Sequence, residues 1–499
     1  MIVYIGKAMF LQNHQESEIK RELAEKNIPI CESEVGYLAK KFIIYLSTLQ
    51  NSRSNRLYEI LENNGGYILH LDALGEKGCL RLISGIDSIS EFVLDNEKII
   101  SEKKDYIVPF LERIKSRYGN PLAVVQDMGK GIMNAVETVF FGIKIFICHF
   151  HFLRDIGKDL LNKDYDIIRK RLRSYGILSK LRSLAKPLKA VIEQHPEEVS
   201  IFSNIIGKEE KIDLNSEIMQ TISVYFLIQW ILSWKTESKG YGFPFDRPHL
   251  SLSVRLSEGY VQIDKIKNRI TDCSTNISKT ITKLKDKLKL IVDDIELQNS
   301  AQNIQEDIKI FDNLREAMQI APNNSNDGLN FDGVSEDLKT IEQRVRIFRK
   351  NLLSNDKLKT SKEYQKFLVQ INKYWDKLFA DPIEVISSEG NKVIQPQRTN
   401  NIMERFFRDF RHSNMRKTGN SSMKKTLKSM IKDTPLARNL KNKKFMDAIL
   451  NENELLEEAF AQINPESIRL KIENERRYID SIPKNIKILL KKNKLPMFI

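Results

Sequence analysis

Cysteine and tryptophan are scarce in this sequence, with four and three among 499 residues, and long apolar runs are missing. The cysteines show no paired spacing; they are Cys31, Cys79, Cys148 and Cys273. This excludes a disulfide framework and is typical of a reducing compartment. No apolar stretch approaches the roughly 18 residues that cross a bilayer, and the N-terminal segment lacks the layout of a cleavable signal. We therefore expect a cytoplasmic protein with no membrane partner.

Two common enzyme signatures are also missing. No glycine-rich loop of the Walker type is present, which argues against a P-loop nucleotide hydrolase, and no Ser/His/Asp hydrolase signature occurs. Positive charge, in contrast, is in excess: 80 lysines and arginines against 66 acidic residues give a net charge of +14. This excess favours a polyanionic partner such as nucleic acid.

Residues 1–50 predict a compact helical domain. Apolar residues recur at helical spacing in three segments, and the turn at 27–30 separates the second segment from the third. A three-helix unit with a tight second turn suits a helix-turn-helix, whose last helix would present Lys40 and Lys41 to a major groove. A plain helical subdomain is the alternative, and it fits the same pattern.

Between residues 65 and 160 the pattern changes to alternating strands and helices. Three apolar runs with short connections predict an antiparallel meander, and a helix, a strand, a second helix and a fifth strand ending near 150 follow. This order predicts an α/β fold with a mixed five-stranded sheet. Residues 161–392 predict an all-α insertion, and residues 421–499 predict a basic helical C-terminal region.

Two aspartates of this region lie at positions suited to a site. Asp72 lies in the middle of the first strand, where burying a carboxylate is costly unless it is paired or bound to a cation. Asp127 ends the fourth strand, where the carboxyl edge of a sheet opens towards a site. Each has a structural alternative: Asp72 on an exposed strand face, and Asp127 as the cap of a helix starting near Gly131.

A third acidic residue lies on a helix predicted to start at Asn400 or Asn401. One face of this helix is apolar and contains Met403, Phe406, Phe407 and Phe410. The opposite face is polar and contains Asn400, Glu404, Arg408 and Arg411. Asn401 with Glu404 three residues later is also a capping-box arrangement. A cap leaves the adjoining cationic face unexplained, so Glu404 is a candidate site residue.

Three segments of the sequence resemble the DDE transposases of bacterial insertion sequences and, more distantly, the mutator-like transposases. They are ILHLDAL, then AVVQDMGKGIMNAV followed by CHFHFLRDIGKDLL, then TNNIMERFFRDFR. The resemblance implies a ribonuclease-H-like core at 65–160, completed at 393–420 after the helical insertion. It implies that Asp72, Asp127 and Glu404 are catalytic and hold two Mg²⁺ or Mn²⁺ ions.

By this resemblance, the protein cleaves and joins DNA strands at the ends of a mobile element. Water would nick the element end, and the freed 3′-hydroxyl would then attack target DNA. We expect double-stranded DNA as the partner, bound by a homodimer or larger assembly at the nucleoid of a prokaryotic cell. A catalytically inactive, transposase-derived DNA-binding protein is the alternative.

Cys148 and His151 form a C-x-x-H pair near the end of the fifth predicted strand, with His149 between them. Zinc sites use about four ligands, and the sequence has no second pair at suitable spacing, so zinc is not expected. The mutator-like resemblance includes such a pair and implies a position close to the site. Strand alternation predicts that His149 and His151 share one face; two partly buried structural histidines are the alternative. The candidates for the surroundings of the site are Cys148, His149, His151, Asn400, Asn401, Arg408 and Arg411.

Residues 405–444 contain thirteen lysines or arginines and only two aspartates. A charge run usually forms a solvated face, but this density beside the predicted helix of Glu404 favours a track for DNA phosphates. The candidates for DNA contact are Lys40, Lys41, Arg416, Lys417, Lys424, Lys425 and Lys428.

Overall fold

The chain forms two compact units, the first of Met1–His151 and the chain from Tyr374 onwards, and the second of Phe152–Lys373. The computed structural model describes every residue except Lys77, Glu209, 271–273, 322–337, 355–361, Ala380, Asn453 and 480–499. Cys273 therefore lies outside the described residues. Across the described ranges, no helix is both long enough and apolar enough to span a membrane.

Four helices open the first unit: α1 (Ile2–Lys7), α2 (Glu16–Glu25), α3 (Glu32–Ser52) and α4 (Ser54–Asn63). Ile5, Ile19 and Val35 form a small core between α1, α2 and the first half of α3. The second half of α3 packs into the main core of the unit through Phe42 and Leu46. Three α-helices are thus present over residues 1–50, the first continued by the π-helical segment Ala8–Gln12, and only the first half of α3 is available for outside contacts.

A five-stranded mixed sheet lies at the centre of the first unit. Its strands are β1 (Ile68–Gly75), β2 (Arg81–Asp87), β3 (Val93–Ile99), β4 (Ala123–Gln126) and β5 (Lys144–Ile147). They lie in the order β3-β2-β1-β4-β5. β1, β2 and β3 pair antiparallel, whereas β4 runs parallel to both β1 and β5. The predicted mixed α/β sheet is confirmed at this level.

Two helices make the crossovers that the parallel pairs require. α5 (Lys104–Tyr118) connects β3 to β4, and α6 (Lys130–Val139) connects β4 to β5. Both pack on the face of the sheet that contains Leu69 and Val124. The opposite face contains Ile68, Ala123, Val125 and Phe146. This second face is the one that Asp72 shares by strand alternation.

The fifth strand is shorter than predicted. It ends at Ile147, because β4 offers partners only from Ala123 to Gln126. A long helix, α7 (His149–Ser174), begins immediately afterwards. Cys148 therefore lies between a strand and a helix, and the two histidines that follow it belong to the first turn of α7.

The described part of the second unit is entirely helical, as the lack of strand patterns predicts. After the remainder of α7, its helices are α8 (Ile177–Ile192), α9 (Pro196–Gly207), α10 (Glu217–Leu232), α11 (Pro248–Arg269), α12 (Thr275–Val292), α13 (Ile295–Ala317), α14 (Leu338–Ser354) and α15 (Lys362–Lys373). Leu256, Leu284 and Phe311 are among its fully buried residues.

The prediction of an all-α segment over 161–392 is wrong at its C-terminal end. After the short α16 (Trp375–Leu378), the strands β6 (Ile383–Ser387) and β7 (Gly390–Ile394) form an antiparallel hairpin. Ile383 and Ile394 pack against the second face of the central sheet. The hairpin belongs to the first unit for this reason, and its Gly390 takes the positive φ of +107° that the turn requires.

Five helices and a 3-10 segment complete the first unit. They are α17 (Asn401–Thr418), α18 (Lys424–Ser429), the 3-10 segment Thr434–Lys441, α19 (Lys443–Ile449), α20 (Leu456–Ala461) and α21 (Pro465–Ile479). Phe445, Phe460 and Ile468 lie in the main core, so much of the basic C-terminal region is structural. Residues 480–499 of that predicted region lie outside the described residues.

β3 is an edge strand of the sheet, and the side chain of Asn439 binds its backbone. Asn439 Oδ1 accepts a hydrogen bond of 2.8 Å from the N–H of Val93, and Asn439 Nδ2 donates one of 2.9 Å to the Val93 carbonyl. Asn439 is 1% exposed. An edge that would otherwise offer unpaired backbone groups is thereby covered.

Candidate metal centre

The register of the parallel strands brings two candidate residues to one level of the sheet. Leu71 pairs with Gln126, and Gln126 pairs with Ile147. The next residues along these strands are Asp72, Asp127 and Cys148. Because alternate residues point to the same face, these three side chains emerge side by side, from the middle of β1 and from just beyond the carboxyl ends of β4 and β5. Asp72 and Asp127 come together as predicted, and Cys148 joins them.

α17 adds Glu404 to this edge of the sheet. The N-cap of α17 is Asn400, whose side chain donates to the Leu71 carbonyl at 2.9 Å. Asn400 Oδ1 lies 3.0 Å from His70 Nδ1, and both residues are buried. These bonds fix the first turn of α17 to β1, one residue before Asp72. Glu404, one turn along the helix, is consequently held beside the two aspartates.

His151 connects the last two acidic residues of the group. Its Nδ1 lies 2.7 Å from Asp127 Oδ1, and its Nε2 lies 4.0 Å from Glu404 Oε1. The first contact is short but poorly aligned, so among the described residues neither His151 Nδ1 nor Asp127 Oδ1 has a hydrogen-bond partner. The imidazole therefore lies between two carboxylates and compensates part of their charge.

The pKa of Asp72 also reflects the other acidic side chains around it. Burial and, next, the nearby Asp127 carboxylate raise the pKa of Asp72 from its ordinary value of 3.8 to about 7. The Ala73 N–H, which donates to Asp72 at 2.7 Å, and His151 lower this pKa, whereas Glu404 raises it. Asp127 and Glu404 thus both act electrostatically on Asp72, and negative charge of this kind attracts a cation. Among the described residues, however, the group whose ligand atoms all lie within 4.8 Å of one another is Asp127, Cys148 and His151.

The charge of His151 follows from its neighbours. Burial lowers the pKa of the imidazole, but Cys148 and Asp127 outweigh burial and raise it to about 11. Without a metal, the site therefore contains a protonated His151 among its acidic groups.

Two structural alternatives from the sequence are not realised. The N-cap of α6 is Gly129, without a side-chain cap bond, so Asp127 does not cap this helix. Because Asn400, and not Asn401, is the N-cap of α17, Glu404 is not at the capping-box position. Neither carboxylate therefore acts as the helix cap that the sequence allowed.

The prediction that His149 and His151 share one face is wrong, because they lie on a helix and not on a strand. His149 Nε2 donates to the Leu378 carbonyl at 2.9 Å, away from the acidic group. Burial lowers the pKa of His149 to about 3, and Arg398 contributes to this, so the ring is neutral. His149 therefore has a structural role, as one of the sequence alternatives proposed, whereas His151 belongs to the site.

Most candidate cations of α17 and α18 are on the surface. Arg408, Arg411, Arg416, Lys424, Lys425 and Lys428 are exposed. Lys417 is different: its Nζ lies 5.2 Å from the centre of the Phe10 ring, and burial lowers its pKa to about 8. Lys417 is therefore less suited to phosphate contact than the exposed cations, and its part in DNA binding stays a prediction.

The two cations of α3 are less suited to DNA than the exposed ones of α17 and α18. Lys40 is exposed, but Lys41 is half-buried with its Nζ 5.9 Å from the Tyr45 ring. The first turn of α3 also contains Glu32 and Glu34. Carboxylates at the start of a recognition helix would face phosphates, so the helix-turn-helix stays a prediction.

The cluster of Asp127, Cys148 and His151 was not foreseen as a unit. One ligand atom from each of these residues lies within 4.8 Å of the others. The sequence shows the C-x-x-H pair, but it does not show that Asp127 lies beside it. The available signal was the parallel pairing of two short apolar strands, both of which end immediately before these residues.

No family model matches the sequence, and none of the curated proteins is significantly similar to it.

Proposed function

We propose that this protein is a DNA transposase that cleaves and joins DNA strands with the help of divalent metal. The observation that carries the proposal is the convergence of Asp72, Asp127 and Glu404 from two adjacent strands and a distant helix. Oxygen ligands suit Mg²⁺ and Mn²⁺. The raised pKa of Asp72 is consistent with a site whose negative charge awaits a cation.

The topology supports a ribonuclease-H-like core as the finer fold. Three antiparallel strands are followed by two parallel ones, in the order β3-β2-β1-β4-β5. The helical second unit lies in the sequence between β5 and α17, as the resemblance to DDE transposases implies. In this interpretation, residues 65–160 and 393–420 form the catalytic core.

The residues of the site would have separate roles in metal binding and positioning. Asp72, Asp127 and Glu404 would hold two metal ions, which stabilise the attacking and leaving oxygens of an in-line displacement at phosphorus. Asn400 positions Glu404 by tying α17 to the backbone of β1. His151 orients Asp127 and Glu404 through its two ring nitrogens.

The exposed cations of α17 and α18 would bind the DNA backbone. Arg408 and Arg411 follow Glu404 by one and two turns of the same helix, so a strand whose phosphate enters the site would run along them. Double-stranded element ends and target DNA are the proposed partners. Two ends must be brought together, so we propose a homodimer or larger assembly, working in the cytoplasm.

A second candidate function is DNA binding without catalysis, and one contact favours it. His151 lies 2.7 Å from Asp127 Oδ1, so a cationic side chain already compensates one of the proposed ligands. A chain in which this contact persists on DNA would bind through its basic surface and leave the phosphodiester intact.

One experiment separates the two functions. The full-length protein is incubated with plasmid carrying the sequences that flank its gene, in Mg²⁺ or Mn²⁺, and nicking and strand transfer are measured. We expect Asp72→Asn, Asp127→Asn and Glu404→Gln each to reduce both products to background while DNA binding persists. Their losses should not add in double variants, because the three residues act as one unit.

Asp409→Asn is the matched control, since Asp409 is an exposed carboxylate on the same helix. It should cleave at the wild-type rate. A wild-type protein that binds the plasmid without nicking it would favour the binding function. Near wild-type cleavage by Glu404→Gln would remove Glu404 from the metal set.

A further inference from the structure

Three different donor types meet beside the acidic group. One carboxylate oxygen of Asp127, the Sγ of Cys148 and one ring nitrogen of His151 all lie within 4.8 Å of one another. Ligands at about 2.0–2.3 Å from a tetrahedral Zn²⁺ are separated by about 3–4 Å. The three atoms therefore need only small side-chain adjustments to share one ion.

These atoms are well shielded from solvent. His151 is 7% exposed, and its Nδ1 lies 2.7 Å from Asp127 Oδ1 in a contact that is not aligned as a hydrogen bond. A buried pair without a well-aligned hydrogen bond recovers only part of the hydration free energy that its two atoms lose. Coordination of one cation by both atoms would recover more of it.

The second ring nitrogen of His151 also has a carboxylate nearby. His151 Nε2, the ring nitrogen facing away from Asp127, lies 4.0 Å from Glu404 Oε1, which is beyond hydrogen-bond distance. Metal-binding histidines commonly donate their second N–H to a carboxylate, and a small side-chain adjustment would form that bond here. The backbone N–H of Asn400 donates to Cys148 Sγ at 3.3 Å, a contact that stabilises a thiolate.

We propose that Asp127, Cys148 and His151 form a binding site for Zn²⁺, with water as the fourth ligand. Thiolate and imidazole suit Zn²⁺, whereas Mg²⁺ prefers oxygen ligands throughout. On binding, two protons pass to solvent, one from the Cys148 thiol and one from Nδ1 of the protonated His151, and the neutral imidazole then coordinates through Nδ1. Zinc was not expected because the sequence offers no second ligand pair near Cys148 and His151. The third ligand, Asp127, comes from the neighbouring strand.

This site has a consequence that rests on the proposed function. Asp127 belongs to both ligand sets, so Zn²⁺ at Cys148 and His151 withdraws a ligand from the catalytic Mg²⁺ ions. Zn²⁺ is therefore an inhibitor of DNA cleavage, and excess Mg²⁺ opposes it weakly because Mg²⁺ does not compete for a thiolate. Cellular zinc would regulate the enzyme through this shared residue.

The binding test uses the metal-free full-length protein and Co²⁺ as a spectroscopic probe for Zn²⁺. We expect one Co²⁺ per chain with a thiolate-to-cobalt charge-transfer absorption that Zn²⁺ abolishes by displacement. Cys148→Ser should lose this absorption, and both Cys148→Ser and His151→Gln should bind Zn²⁺ at least about 100-fold more weakly. Cys31→Ser, which removes an exposed thiol, should bind as the wild type does.

Thermal unfolding gives a second readout that does not depend on colour. Zn²⁺ should raise the melting temperature of the wild type, because it binds only the folded chain, and should leave that of His151→Gln unchanged. The proposed site is wrong if Cys148→Ser keeps the full charge-transfer absorption. It is also wrong if the wild type shows no such absorption. If Cys148→Ser does not fold, the loss of Zn²⁺ affinity in His151→Gln decides by itself.

The same proteins separate this inference from the proposed function. Wild type that binds Co²⁺ through Cys148 but cleaves no DNA in Mg²⁺ overturns the transposase proposal and supports the zinc site. Wild type that cleaves DNA equally well with saturating Zn²⁺ overturns the shared-ligand inhibition and leaves the transposase proposal intact.

Discussion

Asp72 and His151 show how single residues depend on neighbours that are remote in the sequence. The pKa of Asp72 rises to about 7 because of burial and because Asp127 and Glu404 lie nearby. His151 has a raised pKa because Cys148 and Asp127 outweigh its burial. Neither pKa shift follows from the residues on either side in the sequence. The charge state of the site therefore depends on neighbours that only folding brings together.

The raised pKa of Asp72 predicts a pH-dependent stability. Between pH 4 and 7, the folded chain retains a proton on Asp72 that the unfolded chain, with the ordinary pKa of 3.8, has lost. The free energy of unfolding should therefore fall as pH rises through this window. In Asp72→Asn this contribution disappears, so the variant should gain stability relative to wild type as pH increases from 4 to 7.

The measurement is denaturant unfolding of both proteins in the presence of a chelator. Glu112→Gln is a suitable control, because Glu112 is an exposed carboxylate on α5. Its difference from wild type should not follow the same pH dependence. A constant difference between Asp72→Asn and wild type across the window would show that Asp72 is ionised in the folded chain.

The histidine pair shows where residue-level prediction reached its limit. The C-x-x-H pair was predicted to lie close to the site, and the structure places His151 beside Asp127. The shared face of His149 and His151 was wrong, since the length of β4 ends β5 at Ile147. A strand end is decided by its neighbour, and the local sequence of this segment does not contain that information.

At the scale of elements, periodic patterns predicted the central sheet well. The three meander strands, α5, β4, α6 and β5 all occur in the predicted order. The hairpin of β6 and β7 was missed, although Gly390 between two β-branched runs is a hairpin signal. Its strands are only five residues each, and the long helical patterns before them concealed the change.

Asn439 gives an element-scale prediction, because it is the partner of the β3 edge. Asn439→Ala leaves the buried N–H of Val93 without its side-chain partner, while the Val93 carbonyl keeps the Gln50 side chain as a donor. The expected loss is about 1–3 kcal/mol in the free energy of unfolding. Asn204→Ala on α9 is the control, since Asn204 is exposed and should change stability by less than about 0.5 kcal/mol. Equal stabilities of the two variants would contradict the role assigned to Asn439.

α18 gives a second prediction at this scale. Replacing Lys424, Lys425 and Lys428 with Gln should weaken DNA binding for all sequences and reduce the slope of log affinity against log salt by about one per lost phosphate contact. A control with the same change in net charge replaces Lys180, Arg182 and Lys186, which are exposed on α8. An unchanged slope in the α18 variant would show that this helix is an ordinary solvated face and does not contact DNA phosphates.

At the scale of the whole molecule, the first unit is built from both ends of the chain. Its sheet comes from residues before 151, and the helices that close its core come after 400. The resemblance to transposases indicated this division for Glu404. It did not indicate that Phe445, Phe460 and Ile468 complete the same core, because packing between remote apolar segments leaves no local pattern.

This arrangement predicts the result of a truncation. A chain that ends after Gly419 keeps Asp72, Asp127 and Glu404 but lacks Asn439, Phe445 and Phe460. We expect little soluble protein and no cooperative thermal transition, because the main core would remain open on one side. The full chain, expressed in parallel, is the reference. A truncated protein that melts cooperatively would show that the C-terminal helices are dispensable for folding.

The covered edge of β3 also bears on folding during synthesis of the chain. Val93 and Asn439 are 346 residues apart. At a synthesis rate of roughly 5–20 residues per second, β3 leaves the ribosome roughly 20–70 s before its partner does. During this interval the nascent chain exposes an unpaired strand edge, which can pair with other chains. Production of this protein in the cell should therefore depend on chaperones that bind nascent chains, and slower translation of the second unit should increase aggregation.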